Sequence, residues 1–291
     1  MDAAVAAWWA LLLLASAANI AGYALLLRGG RRPASPYATA LTALAAPVVL
    51  QCAWRSAFPS LYLQRFAFWD TPLNSILVDR TLACVGELSW NGALALTFFH
   101  VDGELTGGSA RVRALAIAMF AVYVAAECTS YYNTATTNEL YAAIEVALDA
   151  ASQVLLLPAA VRLAFAVPKA KRGSAAFIFL AIFSVFAVVY PAYNFFVDCP
   201  MYMRRYAADE ARQKAYLPFI EGLRDAATRR VPTQRLADWR EDMSWMVAYF
   251  TFNPLAATLL AASAPSLETT CPLPWCSRRR RRKAQPLLAQ P

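Results

Sequence analysis

The sequence predicts an all-α bundle of seven membrane-spanning helices, with the N-terminus outside and the C-terminus in the cytoplasm. Three observations carry the prediction. Hydrophobic residues make up 59% of the 291-residue chain and charged residues only 16%, whereas about a quarter of a globular protein is charged. The apolar residues fall in long blocks, several of which reach the about 20 residues a helix needs to cross the hydrocarbon core. Lys and Arg gather beside alternate blocks, which orients the chain by the positive-inside rule.

The blocks place spans at Ala4–Leu27, Tyr37–Phe58, Ser75–Phe99, Ala114–Tyr132, Glu139–Ala164, Ser174–Val197 and Met243–Ala264. Arg28, Arg31 and Arg32 follow the first span, Arg111 and Arg113 the third, and Lys169, Lys171 and Arg172 the fifth. The run Arg278–Lys283 follows the seventh. On the other side, only Arg65 lies between spans two and three, and no cation between four and five. The net charge of +8 is therefore a signal of topology and implies no nucleic-acid partner. The bilayer is the partner, and self-association stays open.

Ahead of the first span stand Asp2 and no cation, which suits a retained anchor better than a cleaved leader. Residues 1–264 are read as the bundle, with an ordered outer helical segment at 198–242 and a basic, disordered tail at 265–291. Pro200, Pro218 and Pro232 mark helix starts in the outer segment, and its Tyr202, Tyr206, Leu217, Ile220 and Leu223 are expected on the bundle or the lipid interface. Thr233–Trp239 can begin the helix of the last span, since Leu236, Trp239, Met243 and Met246 keep helical spacing.

Function is sought where charge enters the membrane. A charged side chain at a helix centre costs about 2.5–3.5 kcal/mol, and each Leu, Ile, Val or Phe returns only about 0.3–0.6. Glu87 and Asp149 fall near the middle of their spans, whereas Asp79 and Glu139 lie at span ends, within reach of the interface. Arg80, Cys84, Glu87 and Asn91 form one stripe of span three. Tyr123, Glu127, Ser130 and Tyr131 share a face of span four. Glu145, Asp149 and Ser152 share one of span five, with Gln153 beside them. The alternating span directions gather these groups, with Arg55, Tyr190 and Asn194, in the outer half of the bundle.

The leading reading is a polar pocket for a small ligand or ion, lined by Arg80, Glu87, Asn91, Glu127, Glu145, Asp149, Tyr190 and Asn194, in a transporter, channel or sensor. Five acids (Asp79, Glu87, Glu127, Glu145 and Asp149) face two bases, Arg55 and Arg80. At least one carboxylate must then carry a proton, hold a cation or meet a ligand. The competing reading is a paired network around Arg80 that only glues helices together. A second function class is a membrane-embedded enzyme acting on a lipid or isoprenoid. The acid pairs Glu145/Asp149 and Asp238/Asp242, each four residues apart, would do acid–base work or hold Mg²⁺ against a diphosphate; Mg²⁺ is the one cofactor considered, and only under this reading. Against it, Asp238 and Asp242 fit a solvated helix face with Arg235 and Arg240. A third class is an assembly or scaffold subunit whose buried charges meet another membrane protein.

Other chemistries are pruned. The single histidine, His100, excludes multi-histidine metal sites. No span contains lysine, so a retinal Schiff base is not available. Asn253-Pro254 lacks the tyrosine of the receptor Asn-Pro-x-x-Tyr motif, Ala257 standing in its place, and Asp79-Arg80 lies at the wrong end of its span for the receptor Asp-Arg-Tyr motif. Cys199 is read as lying in an outer loop without a disulfide partner. Cys271 and Cys276, beside the polybasic run, suit lipidation better than a zinc half-site.

Reporter fusions or cysteine labelling should place residues 198–242 outside and Arg278–Lys283 in the cytoplasm. Finding both on one side would remove the seven-span topology.

Overall fold

In the computed structural model, which describes residues 1–28 and 35–268, seven helices are long and apolar enough to cross a membrane. They are α1 (Ala3–Arg28), α2 (Pro36–Ala57), α3 (Ile76–Thr106), α4 (Ala110–Thr136), α5 (Glu139–Ala166), α6 (Ala175–Tyr193) with its continuation, and α10 (Met243–Glu268). The chain is thus an integral, multi-pass membrane protein. Local chemistry sets several helix ends. Ser35 accepts from the Ala38 amide at 3.1 Å, with Pro36 in the first turn of α2, the preferred N-terminal pairing. Asn138 caps α5 through Leu140 N at 2.9 Å, and Gly107, at φ +85°, closes α3.

Neighbours follow chain order from α2 to α6, while α10 lies against α1 and α2 and touches α3 and α6 only lightly. Pro254 explains one polar contact in this arrangement. It has no N–H to give the Phe250 carbonyl, and Asn19 of α1 donates to that oxygen at 3.4 Å and to Thr251 O at 3.2 Å. One end of the bundle is filled by an apolar core that includes Leu41, Leu94, Phe98, Met119, Leu156, Leu163 and Leu180.

The other end carries a folded cap. Helix α6 passes Pro191 and a π-helical turn, Asn194–Asp198, into α7 (Cys199–Ala211). The combined rod of 37 residues spans about 55 Å at 1.5 Å per residue, well beyond an about 30 Å hydrocarbon core. Next come α8 (Phe219–Thr228) and the four-residue α9 (Leu236–Trp239). A small sheet ties the cap to the α2–α3 connection. Its strands β1 (Ser60–Leu61) and β2 (Phe66–Ala67) are antiparallel, and β2 pairs in parallel with β3 (Val231–Pro232). The N-terminus joins the same end, since Leu236 N donates to the Asp2 carboxylate at 2.6 Å. Trp8, Trp9, Phe68, Trp69 and Trp239 pack there as an aromatic cluster, as suits a membrane–water boundary.

Arg65 holds the cap down. It is buried at a left-handed φ of +58° between β1 and β2. Its guanidinium donates to Asp225 Oδ2 at 2.8 Å, Tyr62 O at 2.8 Å, Thr134 O at 2.6 Å and Ala135 O at 3.2 Å. Thr134 and Ala135 belong to the last turn of α4, whose carbonyls have no intrahelical donor. Burial lowers the Arg65 pKa, with Asp225 opposing. Gly222 of α8 rests on the Ala135 carbonyl, where any Cβ would collide with backbone.

Several expectations are corrected here. Helices α3, α4 and α7 run past the expected span ends because capped and polar turns continue beyond the apolar blocks. Thr233–Trp239 does not begin the last span: α9 ends at Trp239 and a turn separates it from Met243. Pro232 sits in β3, not at a helix start, and Cys199 opens α7 rather than lying in a loop. Asp79 and Glu139 do not reach the interface. They are 1% and 5% exposed, because the cap covers the helix ends that carry them. Of the expected inward face, Ile220 is exposed, and α8 turns Gly222 and Ala226 inward instead. The disordered tail expected at 265–291 starts no earlier than 269, because α10 continues through Pro265 to Glu268; residues 269–291, with Cys271 and Cys276, lie outside the described residues.

Replacing Arg65 with alanine should cost about 3–5 kcal/mol, the usual loss when one member of a buried ion pair is removed. Arg65→Lys should recover little, since one ammonium cannot reproduce a planar fork of donors. Denaturant unfolding in detergent measures both, and wild-type stability in Arg65→Ala would show that the cap is anchored elsewhere.

Candidate ligand pocket

The polar stripe of α3 faces α4 and α5 in the capped half of the bundle. Arg80 Nη2 donates to Glu87 Oε2 at 2.7 Å, one helical face on, and to Glu127 Oε2 of α4. Its Nη1 lies 3.7 Å from Glu145 Oε1 of α5. Arg80 is buried on every side, so three carboxylates from three helices surround one cation in a low-dielectric setting, where such attraction is strong.

A second guanidinium completes the network. Arg55 of α2 lies 3.3 Å from Asp79 Oδ1 and 3.9 Å from Glu87 Oε1, donates to the Tyr62 hydroxyl at 2.9 Å, and sits over the rings of Tyr249 and Phe250 at 5.3 and 5.0 Å. The approach of α2 to α3 depends on Gly86, because the Gln51 side chain fills the space its Cβ would take. Gln51 in turn accepts from Arg55 at 3.5 Å. Asp79 also accepts from Ser60 at 2.7 Å, and Glu87 from the Tyr249 hydroxyl at 2.5 Å.

On α5, Glu145 accepts from Asn133 Nδ2 at 2.5 Å and Asp149 from the Tyr190 hydroxyl of α6. Asn91 bridges back to α5, donating to Glu87 O at 3.0 Å and accepting from Gln153 Nε2 at 3.1 Å. Asn194, the eighth expected residue, is buried at the head of the π-helical turn, beside Tyr190. The structure therefore brings all eight expected residues into one neighbourhood.

The acids differ in their access. The Glu127 side chain is 6% exposed, that of Glu87 15% and that of Glu145 25%. Asp149, Tyr190, Tyr202 and Tyr249 are half-buried. These side chains come from α3, α4, α5, α6, α7 and α10, with Tyr249 of α10 bonded to Glu87 and Tyr190 of α6 to Asp149. The acids thus lie beside tyrosines, with partial exposure at Glu87, Glu145 and Asp149.

Sequence reasoning missed Tyr62, Gln51, Gly86 and Tyr249. For Tyr249 a signal existed, since Asp242, Trp245 and Tyr249 repeat at helical spacing and form a polar stripe on the last span. The Asp238/Asp242 pair does not form one face. Asp238 is held by Arg235 at 2.9 Å and Thr233 at 2.5 Å, and the Thr233 hydrogen bond lowers its pKa. Asp242, beyond the turn, accepts from Trp245 at 2.7 Å, and burial raises its pKa. Among the described residues, no group of three or more His, Cys, Asp and Glu side chains is arranged to hold a metal.

Arg80 and Glu87 should be energetically coupled. Arg80→Gln and Glu87→Gln should each destabilise the protein by about 3–5 kcal/mol, and the double variant should cost at least 1 kcal/mol less than their sum. Additive costs in a double-mutant cycle would mean that the two side chains are satisfied by different partners.

Comparison with protein-family models, with curated proteins and with solved structures finds no match.

Proposed function

We propose that these acids and tyrosines line a crevice, entered from the capped side, in which the protein binds a small ligand or ion, and that it works as a transporter, channel or sensor. The observation that carries the reading is the access of Glu87, Glu145 and Asp149. All three stand in the interior of apolar spans, yet none is sealed. A network that served only to join helices would gain most by closing over its charges, because partial access to lipid or water weakens each pair. Five carboxylates around two guanidiniums also leave unmatched negative charge, which favours a proton or a cationic ligand. The apolar far end of the bundle closes the crevice below.

The test is access from one side only. In a background without native cysteines, a small thiol reagent applied from the capped side should modify Asp149→Cys at least tenfold faster than the same reagent applied from the opposite side. A cysteine inert from both sides would make the acids a dry structural network and end the pocket reading.

A further inference from the structure

The end of the bundle opposite the cap is basic, and its cations stand without acids. Arg111 and Arg113 lie in the first turn of α4, Arg162 near the end of α5, and Lys169 and Arg172 in the turn between α5 and α6. All five are exposed. Arg162 Nη1 donates to Ser109 Oγ at 3.4 Å, which brings the end of α5 beside the start of α4. Among the described residues, none of the five forms an ion pair.

The sequence accounts for the imbalance. Residues 150–197 contain no Asp or Glu, and residues 105–138 contain only Glu127, which is buried in the Arg80 network. Asp102 is 3% exposed and accepts from Thr106 Oγ1 at 2.6 Å and from the Ser109 amide, so its charge is used inside the α3–α4 turn. Glu104 is half-buried. The capped end is different: Arg65, Arg205, Lys214 and Arg235 each have a carboxylate within 2.9 Å.

Exposed apolar side chains interleave with the unpaired cations. Ile117, 58% exposed, lies one turn from Arg113 on the same face of α4. Phe165, 77% exposed, falls between Arg162 and Lys169 in the chain. This mixture suits the edge of the hydrocarbon, where a long side chain keeps its stem in lipid and its charge in the headgroup layer. A guanidinium offers a planar fork of donors that matches two oxygens of one phosphate, and basic groups at this depth attract anionic headgroups.

We infer that the face formed by the ends of α4 and α5 and the α5–α6 turn binds anionic phospholipid. The lipid phosphate accepts from Arg111, Arg113 and Arg162, and the acyl chains lie along Ile117 and Phe165. A free phosphate or an acidic soluble protein would meet the guanidiniums but leave that apolar surface to other lipids. The surface lies at the opposite end from the acids and does not depend on the pocket reading.

The experiment titrates phosphatidylglycerol into the purified full chain, stripped of lipid in detergent, and follows thermal stability and the bound lipid by native mass spectrometry. Phosphatidylcholine is the uncharged comparator and inorganic phosphate the soluble one. Phosphatidylglycerol should bind about tenfold tighter than phosphatidylcholine, and raising the salt should erode that preference. Replacing Arg111, Arg113 and Arg162 together with glutamine should abolish it, while Arg204→Gln and Arg229→Gln, at the capped end, should leave it intact. Lys169→Gln with Arg172→Gln should weaken it severalfold, and this pair keeps the test open if the triple variant fails to fold. The run Arg278–Lys283 is present in every protein compared, so a preference that it alone supplies would survive all these changes. Equal binding of the two lipids, displacement of phosphatidylglycerol by millimolar inorganic phosphate, or a full preference in the folded variants would each overturn the inference.

Discussion

Charge compensation around Arg80 is the constraint on which the capped half of the bundle depends. A guanidinium cannot be discharged inside a protein, so burying it obliges the neighbouring helices to supply anions at fixed positions. Glu87 meets this from the same helix, Glu127 from α4 and Glu145 from α5. The carboxylates then need partners of their own, which brings in Tyr249, Asn133 and Arg55. Five of the spans are thereby held in one register by electrostatics rather than by apolar contact. This matters in a bilayer, where lipid tails are as apolar as leucine and hydrophobic burial does little to choose one helix arrangement over another.

The cap and the network support each other. Asp79 is buried because the cap lies over the start of α3, and Ser60 and Arg55 then become its partners. Arg65 performs the matching task above, where it joins the α2–α3 connection to the end of α4 and to α8. Arg205 adds a tie from α7 to Glu241 at 2.8 Å, and Lys214 one to Thr137 O at 2.9 Å. Covering the helix ends removes water from charges that would otherwise be solvated, so pairing there becomes obligatory.

What was legible in the sequence follows from what a period can encode. Helical spacing placed Arg80, Glu87 and Asn91 on one line, and Glu145 and Asp149 on another, because 3.6 residues per turn is a local property. The length and separation of the apolar blocks did the same for the number of spans. Burial of Asp79 was not legible, because it depends on a cap whose own fold rests on Arg65 reaching carbonyls about 70 residues away. Nor was the meeting of Gly86 and Gln51, where the informative feature is a missing side chain on one helix and a present one on another. Asp238 and Asp242 misled for the converse reason: their spacing suits a helix, but the chain turns between them.

The apolar core at the far end of the bundle has an electrical consequence. Leu94, Phe98, Met119, Leu156 and Leu163 make that half mainly apolar, while the pocket proposed above would be open to solvent as far as Glu87 and Asp149. A membrane voltage falls mainly across the poorly conducting part of its path, so with such a pocket most of the potential drop would lie below the acids. A cation resting beside Asp149 would feel little of the field. Any charge that went on through the core would cross nearly all of it, gaining or losing about 2.3 kcal/mol per 100 mV. The insulating layer would thereby make occupancy of the proposed pocket nearly independent of voltage, and passage beyond it steeply dependent.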